Sequence, residues 1–150
     1  MATFATGVTV VTTRWGEAIH GLTVNAFCSV SLEPALVLVC IENQTTARSL
    51  LEKSGIFAVN VLAADQEATA RRFASSQLSA AERFQGVTYH QERTGAPILD
   101  HSLGFLDCRM IAAYPGGDHT IFLGEVQALG QRDLQQPLLY FQSTYRSMHS

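Results

Sequence analysis

The sequence predicts a mainly β fold: a closed, mainly antiparallel barrel with short helices at its rim. Three observations carry this. β-Branched and apolar residues recur with period two or in short continuous runs along most of the chain. Turn signals such as Gly16-Glu17 and Pro115-Gly116-Gly117-Asp118 separate those runs. Helical patterns are few and short. Closure removes exposed strand edges, which favours the barrel; an open β-sandwich is the competing architecture.

Taken in order, Thr6–Thr13 (TGVTVVTT) is strand material, and Gly16-Glu17 turns it into a second strand, Ala18–Val24. Pro34 has no place inside a central strand, so Phe27–Leu32 and Ala35–Ile41 are two strands joined near it. Ala35–Ile41 is apolar on both faces, as in a strand covered on both sides. Thr45–Ser54 reads as a helix stopped by Gly55, and Ile56–Leu62 as another strand. A second helix is expected over Asp65–Ala74, with Asp65 as the N-cap type and Ala68, Ala70 and Phe73 to bury. Ser79-Ala80-Ala81-Glu82 has capping-box spacing and opens a short helix through Phe84. Gly104–Tyr114 and Thr120–Leu129 flank the Pro-Gly-Gly-Asp loop as a hairpin, and Leu138–Gln142 is a last short strand. No repeat or linker interrupts residues 1–150, so one domain is expected.

Composition narrows the function. Charged residues are 15% against about 25% in an average soluble domain, which excludes disorder and points to surface hidden between subunits. A net charge of −3 advertises neither nucleic-acid nor anionic-membrane binding. The longest apolar run, Ala35–Ile41, falls far short of the roughly 20 residues of a membrane helix. Residues 1–13 lack the marks of a signal peptide. Cys28, Cys40 and Cys108 form no CxxC pair and read as reduced cytosolic thiols packed as small hydrophobes.

Familiar catalytic signatures are missing. There is no Gly-x-Gly-x-x-Gly, no phosphate loop and no Gly-x-Ser-x-Gly. His20, His90, His101, His119 and His149 show no metal-ligand spacing. Arg71, Arg72 and Lys53 read as solvated helix faces rather than a nucleic-acid patch. A small β domain without an evident acid, base, nucleophile or metal binds something, and when it catalyses, a cofactor makes the bonds.

Three segments could build such a site. Gly21–Leu32 mixes hydroxyls and an amide with small residues, so backbone groups can approach a flat heterocycle, with Thr23 and Asn25 adding donors and acceptors. Read alone, it is more ordinarily a polar strand connection with Thr and Ser facing water. Gln44-Thr45-Thr46-Ala47-Arg48-Ser49 follows a buried strand and opens a helix, where free N–H groups, hydroxyls and a guanidinium suit a phosphate; a plain Thr cap is the alternative. Gly116-Gly117-Asp118-His119-Thr120 permits close approach of another molecule, or is a flexible turn.

These segments coincide with a family pattern. FATGVTVVTT (Phe4–Thr13), HGLTVNAFCSVSLEPALVLVCI (His20–Ile41), FAVNVLAADQ (Phe57–Gln66), GDHTIFLGEV (Gly117–Val126) and PLLYF (Pro137–Phe141) resemble the flavin reductase-like proteins, over nearly the whole chain and in one order. The resemblance implies a split β-barrel, Greek-key-like and antiparallel, with short flanking α-helices. It implies an NAD(P)H:flavin oxidoreductase that takes hydride from nicotinamide C4 to flavin N5, with FMN or FAD as flavin and NADH or NADPH as donor. It further implies a cytoplasmic homodimer that passes reduced flavin by diffusion to a partner monooxygenase. A non-catalytic flavin-binding split barrel and a split-barrel flavin-dependent oxidase are the rivals.

By position, the resemblance places Thr23, Val24, Asn25, Ala26, Ser29, Val30 and Ser31 against the isoalloxazine ring and ribityl chain. Gln44, Thr45, Thr46 and Ser49 would hold the phosphate end. His119 would meet the nicotinamide nucleotide, with Tyr145 close to the same pocket. Phe84, after Arg83, matches an Arg-Phe pair near the cofactor. Family members carry about ten more residues before the Phe-Ala-Thr-Gly-Val segment, the length of an ordinary helix. Here that segment follows Met1-Ala2-Thr3, so either the chain is truncated or the nucleotide site has fewer contacts.

Overall fold

The structure, a computed structural model, describes residues 1–133 and 135–148; His149 lies outside them. Among the described residues twelve strands are present: β1 Thr6–Gly7, β2 Thr9–Trp15, β3 Ala18–Val24, β4 Phe27–Leu32, β5 Ala35–Glu42, β6 Ile56–Val61, β7 Tyr89–Gln91, β8 Pro97–Leu99, β9 Gly104–Gly116, β10 His119–Gln131, β11 Leu138–Phe141 and β12 Thr144–Ser147. Three helices accompany them: α1 Thr46–Ser54, α2 Glu67–Ala74 and α3 Ala80–Phe84. Among the described residues, no helix is long and apolar enough to cross a membrane.

Seven strands form one antiparallel sheet in the order β3-β2-β6-β9-β10-β5-β4. Its two edge strands are consecutive in the chain, joined by only Asn25 and Ala26. Three Cα steps span at most about 11 Å, whereas a flat seven-stranded sheet would hold its edges roughly 29 Å apart. The sheet must therefore roll until its edges meet at Asn25–Ala26, where the Cys40 N–H donates to the Ala26 carbonyl at 3.0 Å. The expected antiparallel barrel is what forms.

The rolled sheet encloses Val11, Val39, Ile41, Phe57, Val59, Cys108 and Phe122, with Leu51 of α1 closing one end. Gly124 of β10 lies opposite Phe57, so close that a Cβ there would meet the ring at 2.5 Å. A second core lies outside the wall, where Val8, Val10, Leu62 and Leu138 meet Ala70 and Phe73 of α2 and Phe84 of α3. Strand β2 is thus buried on both faces, Val11 inward and Val10 outward, which explains its unbroken run of apolar and Thr residues.

Local chemistry accounts for the helix ends. Thr45 caps α1 by accepting from the Arg48 N–H, and Gly55, in the left-handed region at φ 67°, stops it. Asp65 is not the cap expected of the second helix. Residues Ala64–Gln66 form a tight 3-10 turn instead, because the Gln66 side chain accepts from the Ala63 N–H at 2.8 Å, and α2 begins only at Glu67. Arg72 is not a solvated face either: it donates to the carbonyls of Glu82 and Arg83 and holds α3 against α2. Of the three thiols only Cys108 is a buried hydrophobe, its pKa pushed up to about 12 by burial and then by the neighbouring Asp107.

Candidate functional site

A cavity of about 910 Å³ opens where the barrel closes. Asn25, Ala26, Phe27 and Cys28 form one wall, Leu38 and Cys40 of β5 continue it, and residues of the Met1–Thr9 segment with Tyr140 form the other. The volume sits within the range of about 300–1,000 Å³ typical of cofactor sites. Its lining is predominantly apolar, with the small residues Ala26 and Gly7 leaving backbone exposed. The Asn25 side chain is exposed at the mouth and offers an amide donor and acceptor. Apolar walls plus one amide suit a flat heterocycle with a polar edge, so the residues present fit a flavin ring.

A smaller cavity of about 190 Å³ adjoins it, lined by Val8, Thr23, Asn25, Ala74, Tyr140 and Tyr145. Val8, Asn25 and Tyr140 belong to both. Thr23 is held there by its hydroxyl, which donates to the Ala70 carbonyl of α2 at 2.6 Å.

The stretch expected to line a ring is therefore divided. Thr23, Asn25 and Ala26 face the cavities. Val24 does not: its side chain is buried in the barrel core and its carbonyl accepts from the Thr9 hydroxyl, because β3 alternates and places Val24 inward. Ser29, Val30 and Ser31 continue along β4 beyond Cys28, with a bulge at Val30 between Ser29 and Ser31, and line neither cavity. Phe84 is a core residue at 7% exposure, its ring edge-on to Phe73 (5.0 Å) and Tyr89 (5.5 Å), and it lines neither of these two cavities. Its neighbour Arg83 instead ties the rim together, donating to the carbonyls of Gly21 and Ser75 at 2.8 Å each.

The other two segments are knitted to each other. Asn43 donates through Nδ2 to the Gly117 carbonyl (3.1 Å) and through its backbone N–H to the Asp118 carbonyl (2.9 Å). The Thr120 hydroxyl donates to Asn43 Oδ1 at 2.6 Å and receives Arg48 Nε at 3.4 Å. Gln44, Thr46 and Ser49 stay exposed at the start of α1, while the Thr45 hydroxyl is already engaged, donating to the Glu42 carbonyl at 2.8 Å. Arg48 is shared with Glu52 at 3.0 Å, which leaves this helix start weakly cationic.

His119 stands opposite Glu42, and Ile121 opposite Cys40. Two residues of strand separate the pairs, so His119 lies roughly 7 Å beyond Cys40 along the same sheet face. The cleft and the Gly117–His119 loop thus adjoin on one surface. His119 Nδ1 pairs with Asp118 Oδ1 at 2.7 Å. That bond, and then the imidazole charge, holds the Asp118 carboxyl below its usual range. With the carboxylate accepting, Nδ1 carries the proton and Nε2 is left for a ligand. Tyr145 does not share this place; it lines the small cavity on the far side of Asn25, so within one chain it and His119 are not in a common pocket.

Cys28, Leu38, Cys40 and Tyr140 are wall residues that sequence reasoning missed. Only strand register brings the first three together, through Cys28 opposite Leu38. Burial, and then the nearby Cys28, pushes the Cys40 thiol up, so it stays protonated and is a poor nucleophile. Among the described residues, no carboxylate or imidazole lines the large cleft. The arrangement can bind and orient a ring, and its described lining offers phenol and thiol groups but no carboxylate or imidazole.

Known proteins share this architecture. The flavin reductase like domain family matches residues 1–149. An NADH-dependent flavin reductase of Rhodococcus is 38% identical over 148 residues, covering 97% of this chain and 81% of its own. The reductase component of 4-hydroxyphenylacetate 3-monooxygenase from Thermus thermophilus is 38% identical, covering 99% and 92%. Among solved structures, the NADH:FAD oxidoreductase of Streptomyces globisporus, in complex with NAD and FAD fragments, superposes with a TM-score of 0.92 at 38% identity, covering 99% of this chain and 88% of that one. With the fold, the cleft and these relatives in agreement, the chain belongs to the flavin reductase like domain family.

Proposed function

We propose that this protein is an NADH-dependent flavin reductase that supplies reduced flavin to a partner oxygenase, with the cleft at Asn25–Cys28 as the flavin site. The observation that carries the reading is an apolar cleft of cofactor size, its described lining free of carboxylates and imidazoles, beside a glycine loop that presents an imidazole. The flavin ring supplies the redox chemistry, accepting hydride from the dihydronicotinamide. The chain's own residues supply position. Ala26, Phe27 and Leu38 bury the ring, the Asn25 amide meets its polar edge, and Nε2 of His119 orients the nicotinamide nucleotide from the end of the sheet face. Such positioning alone can contribute several kcal/mol, comparable with one general base.

Delivery by diffusion requires a flavin that leaves, and the cleft opens to solvent at the exposed Asn25, Ala26 and Cys28. The relatives named as reductase components of two-component systems, a tryptophan halogenase among them, support delivery to a separate oxygenase. A cytoplasmic homodimer completes the proposal. Val30, Leu32 and Tyr114 are large, exposed apolar side chains on β4 and β9, as expected of a face that a second copy covers.

The test is loss of the NADH absorbance band with FMN, FAD or riboflavin added, alongside quenching of flavin fluorescence by the protein. Turnover with saturable flavin dependence is expected, and flavin should separate from the protein on gel filtration. Folded protein that neither quenches any flavin nor oxidises NADH would refute the reading. Flavin that stays with the protein would refute delivery by diffusion, and a monomeric mass in light scattering would refute the dimer.

A further inference from the structure

The small cavity has chemistry of its own. At about 190 Å³ it exceeds the roughly 150 Å³ that accommodates a benzene ring, so it takes one heteroaromatic base and not a tricyclic ring with its chain. Two of its walls are aromatic. Tyr140 and Tyr145 are paired across β11 and β12, with centroids 5.2 Å apart and planes inclined by 59°. Burial, and then Tyr140, pushes the Tyr145 phenol above its ordinary value, so it stays a neutral donor.

An arginine stands against the lining residue Tyr145. The Arg71 guanidinium lies over the Tyr145 ring, 4.9 Å from its centroid. Its Nε donates to Glu67 at 2.9 Å, one helical turn back, which sets the plane of the guanidinium without occupying its terminal nitrogens. Arg71 is three residues before Ala74, which lines the cavity, so both lie on one side of α2. Val8, Asn25 and Tyr140 border both cavities, so a ring in the large cleft and a group in the small one lie side by side.

A base against two phenol rings, followed by an anionic linker beneath an oriented guanidinium, is the chemistry of an adenylate end. We propose that the small cavity and Arg71 receive the adenosine diphosphate end of a dinucleotide, making Arg71, Tyr140 and Tyr145 specificity-determining residues. The proposal rests on the assignment of the large cleft to a flavin. Two molecules in the reaction carry this end, FAD and the nicotinamide dinucleotide, and the recognition chemistry is common to both.

Binding separates them without turnover. FAD differs from FMN, and NAD⁺ from nicotinamide mononucleotide, by the same adenylate. Titration calorimetry of all four with wild type, Arg71→Ala, Tyr145→Leu and Tyr145→Phe reads two affinity ratios. Arg71 is largely exposed, so its removal leaves the fold in place, which circular dichroism checks. Loss of the cation–π and charge-assisted contacts should lower one ratio about fivefold or more in Arg71→Ala and Tyr145→Leu, while Tyr145→Phe, which keeps the ring, stays near wild type. A fall in FAD:FMN assigns the end to the flavin; a fall in NAD⁺:mononucleotide assigns it to the hydride donor. Both ratios within about twofold of wild type would overturn the proposal. Wild type that binds no flavin at all would show instead that the cleft assignment is at fault.

Discussion

The Asn43 side-chain amide donates to the carbonyl of Gly117 at 3.1 Å, so the end of β5 holds the glycine loop that carries His119. The same side chain accepts from the Thr120 hydroxyl, and between them these bonds bracket the loop on both sides. Asn43→Ala removes both while leaving the backbone bond to Asp118. At about 0.5–1.5 kcal/mol each, their combined loss of about 1–3 kcal/mol should raise the NADH KM roughly 5- to 100-fold, with kcat at saturating NADH within about twofold. Steady-state kinetics at fixed flavin decides it. An unchanged KM would mean that the loop keeps its shape without Asn43.

His119 itself should follow the same split more strongly. Its Nδ1 is engaged by Asp118, and the imidazole stands beside the cleft rather than among the residues that line it. His119→Ala is therefore expected to raise the NADH KM more than it lowers kcat at saturating NADH. A collapse of kcat with unchanged KM would instead make the imidazole a participant in the chemical step.

Gly124 tests the barrel interior. A Cβ at this position would stand 2.5 Å from Phe57 Cζ and 3.0 Å from Cys108 Cβ, and Phe57 is fully buried with nowhere to move. Gly124→Ala should cost about 1–3 kcal/mol, as overpacking does. In a Phe57→Leu background the ring is gone, so the same substitution should cost less; this non-additivity marks a direct clash. Urea denaturation of the four proteins measures it, and equal costs in both backgrounds would place the effect elsewhere.

The barrel was legible because its pattern is local. Strict apolar–polar alternation is unnecessary where a strand is covered on both faces, and the continuous run of β5 and the Thr-Val mixture of β2 both announce this. Strands β7, β8 and β12 were not foreseen. Tyr89–Gln91 and Thr144–Ser147 are short and largely exposed, without an apolar stripe. What holds β8 is remote in sequence: the Thr12 hydroxyl donates to the Pro97 carbonyl, and the Leu99 N–H donates to Asn60 Oδ1 at 2.9 Å. Asn25, Ala26 and Thr23, singled out where amide and small side chains cluster in sequence, do border the two cavities. Cys28, Leu38 and Cys40 were opaque because only the β4–β5 register assembles them, and the ring contacts of Phe84 with Phe73 and Tyr89 were opaque because an Arg-Phe pair does not reveal which way its ring points.

His90 provides a pH-dependent contribution to stability. Its Nδ1 meets Asp100 at 2.9 Å and its Nε2 meets Glu92 at 3.1 Å. The Asp100 hydrogen bond first, and Glu92 after it, raise the His90 pKa from 6.5, while the bond from His90 lowers that of Asp100 from 3.8. A raised histidine pKa stabilises fully below the unfolded value and loses this as pH rises through the folded value. The lowered Asp100 contributes above its own unfolded value and fades as pH falls through the folded one. The pair therefore stabilises most between the ordinary Asp and His values. The melting temperature of wild type should exceed that of His90→Gln more at about pH 5 than at about pH 8.5. A difference independent of pH would remove the ion pair from the account.

Asp107 anchors the loop before β8 and, among the described residues, has no cationic partner. Although fully buried, it accepts the N–H groups of Arg93 at 2.8 Å and Thr94 at 2.9 Å on one oxygen, and the Thr94 hydroxyl on the other. Buried carboxyl groups are tolerated when hydrogen bonds replace their lost hydration. Asp107→Ala strands both backbone donors, at about 1–3 kcal/mol each, and should cost about 2–5 kcal/mol. Asp107→Asn keeps an oxygen for the two N–H groups and turns its amide toward the Thr94 oxygen, so it should cost only about 1 kcal/mol. Denaturant midpoints rank the variants, and exchange of the Arg93 and Thr94 amides should quicken in Ala far more than in Asn. Should Asn prove as damaging as Ala, the negative charge rather than the count of acceptors would be what holds this loop against β9.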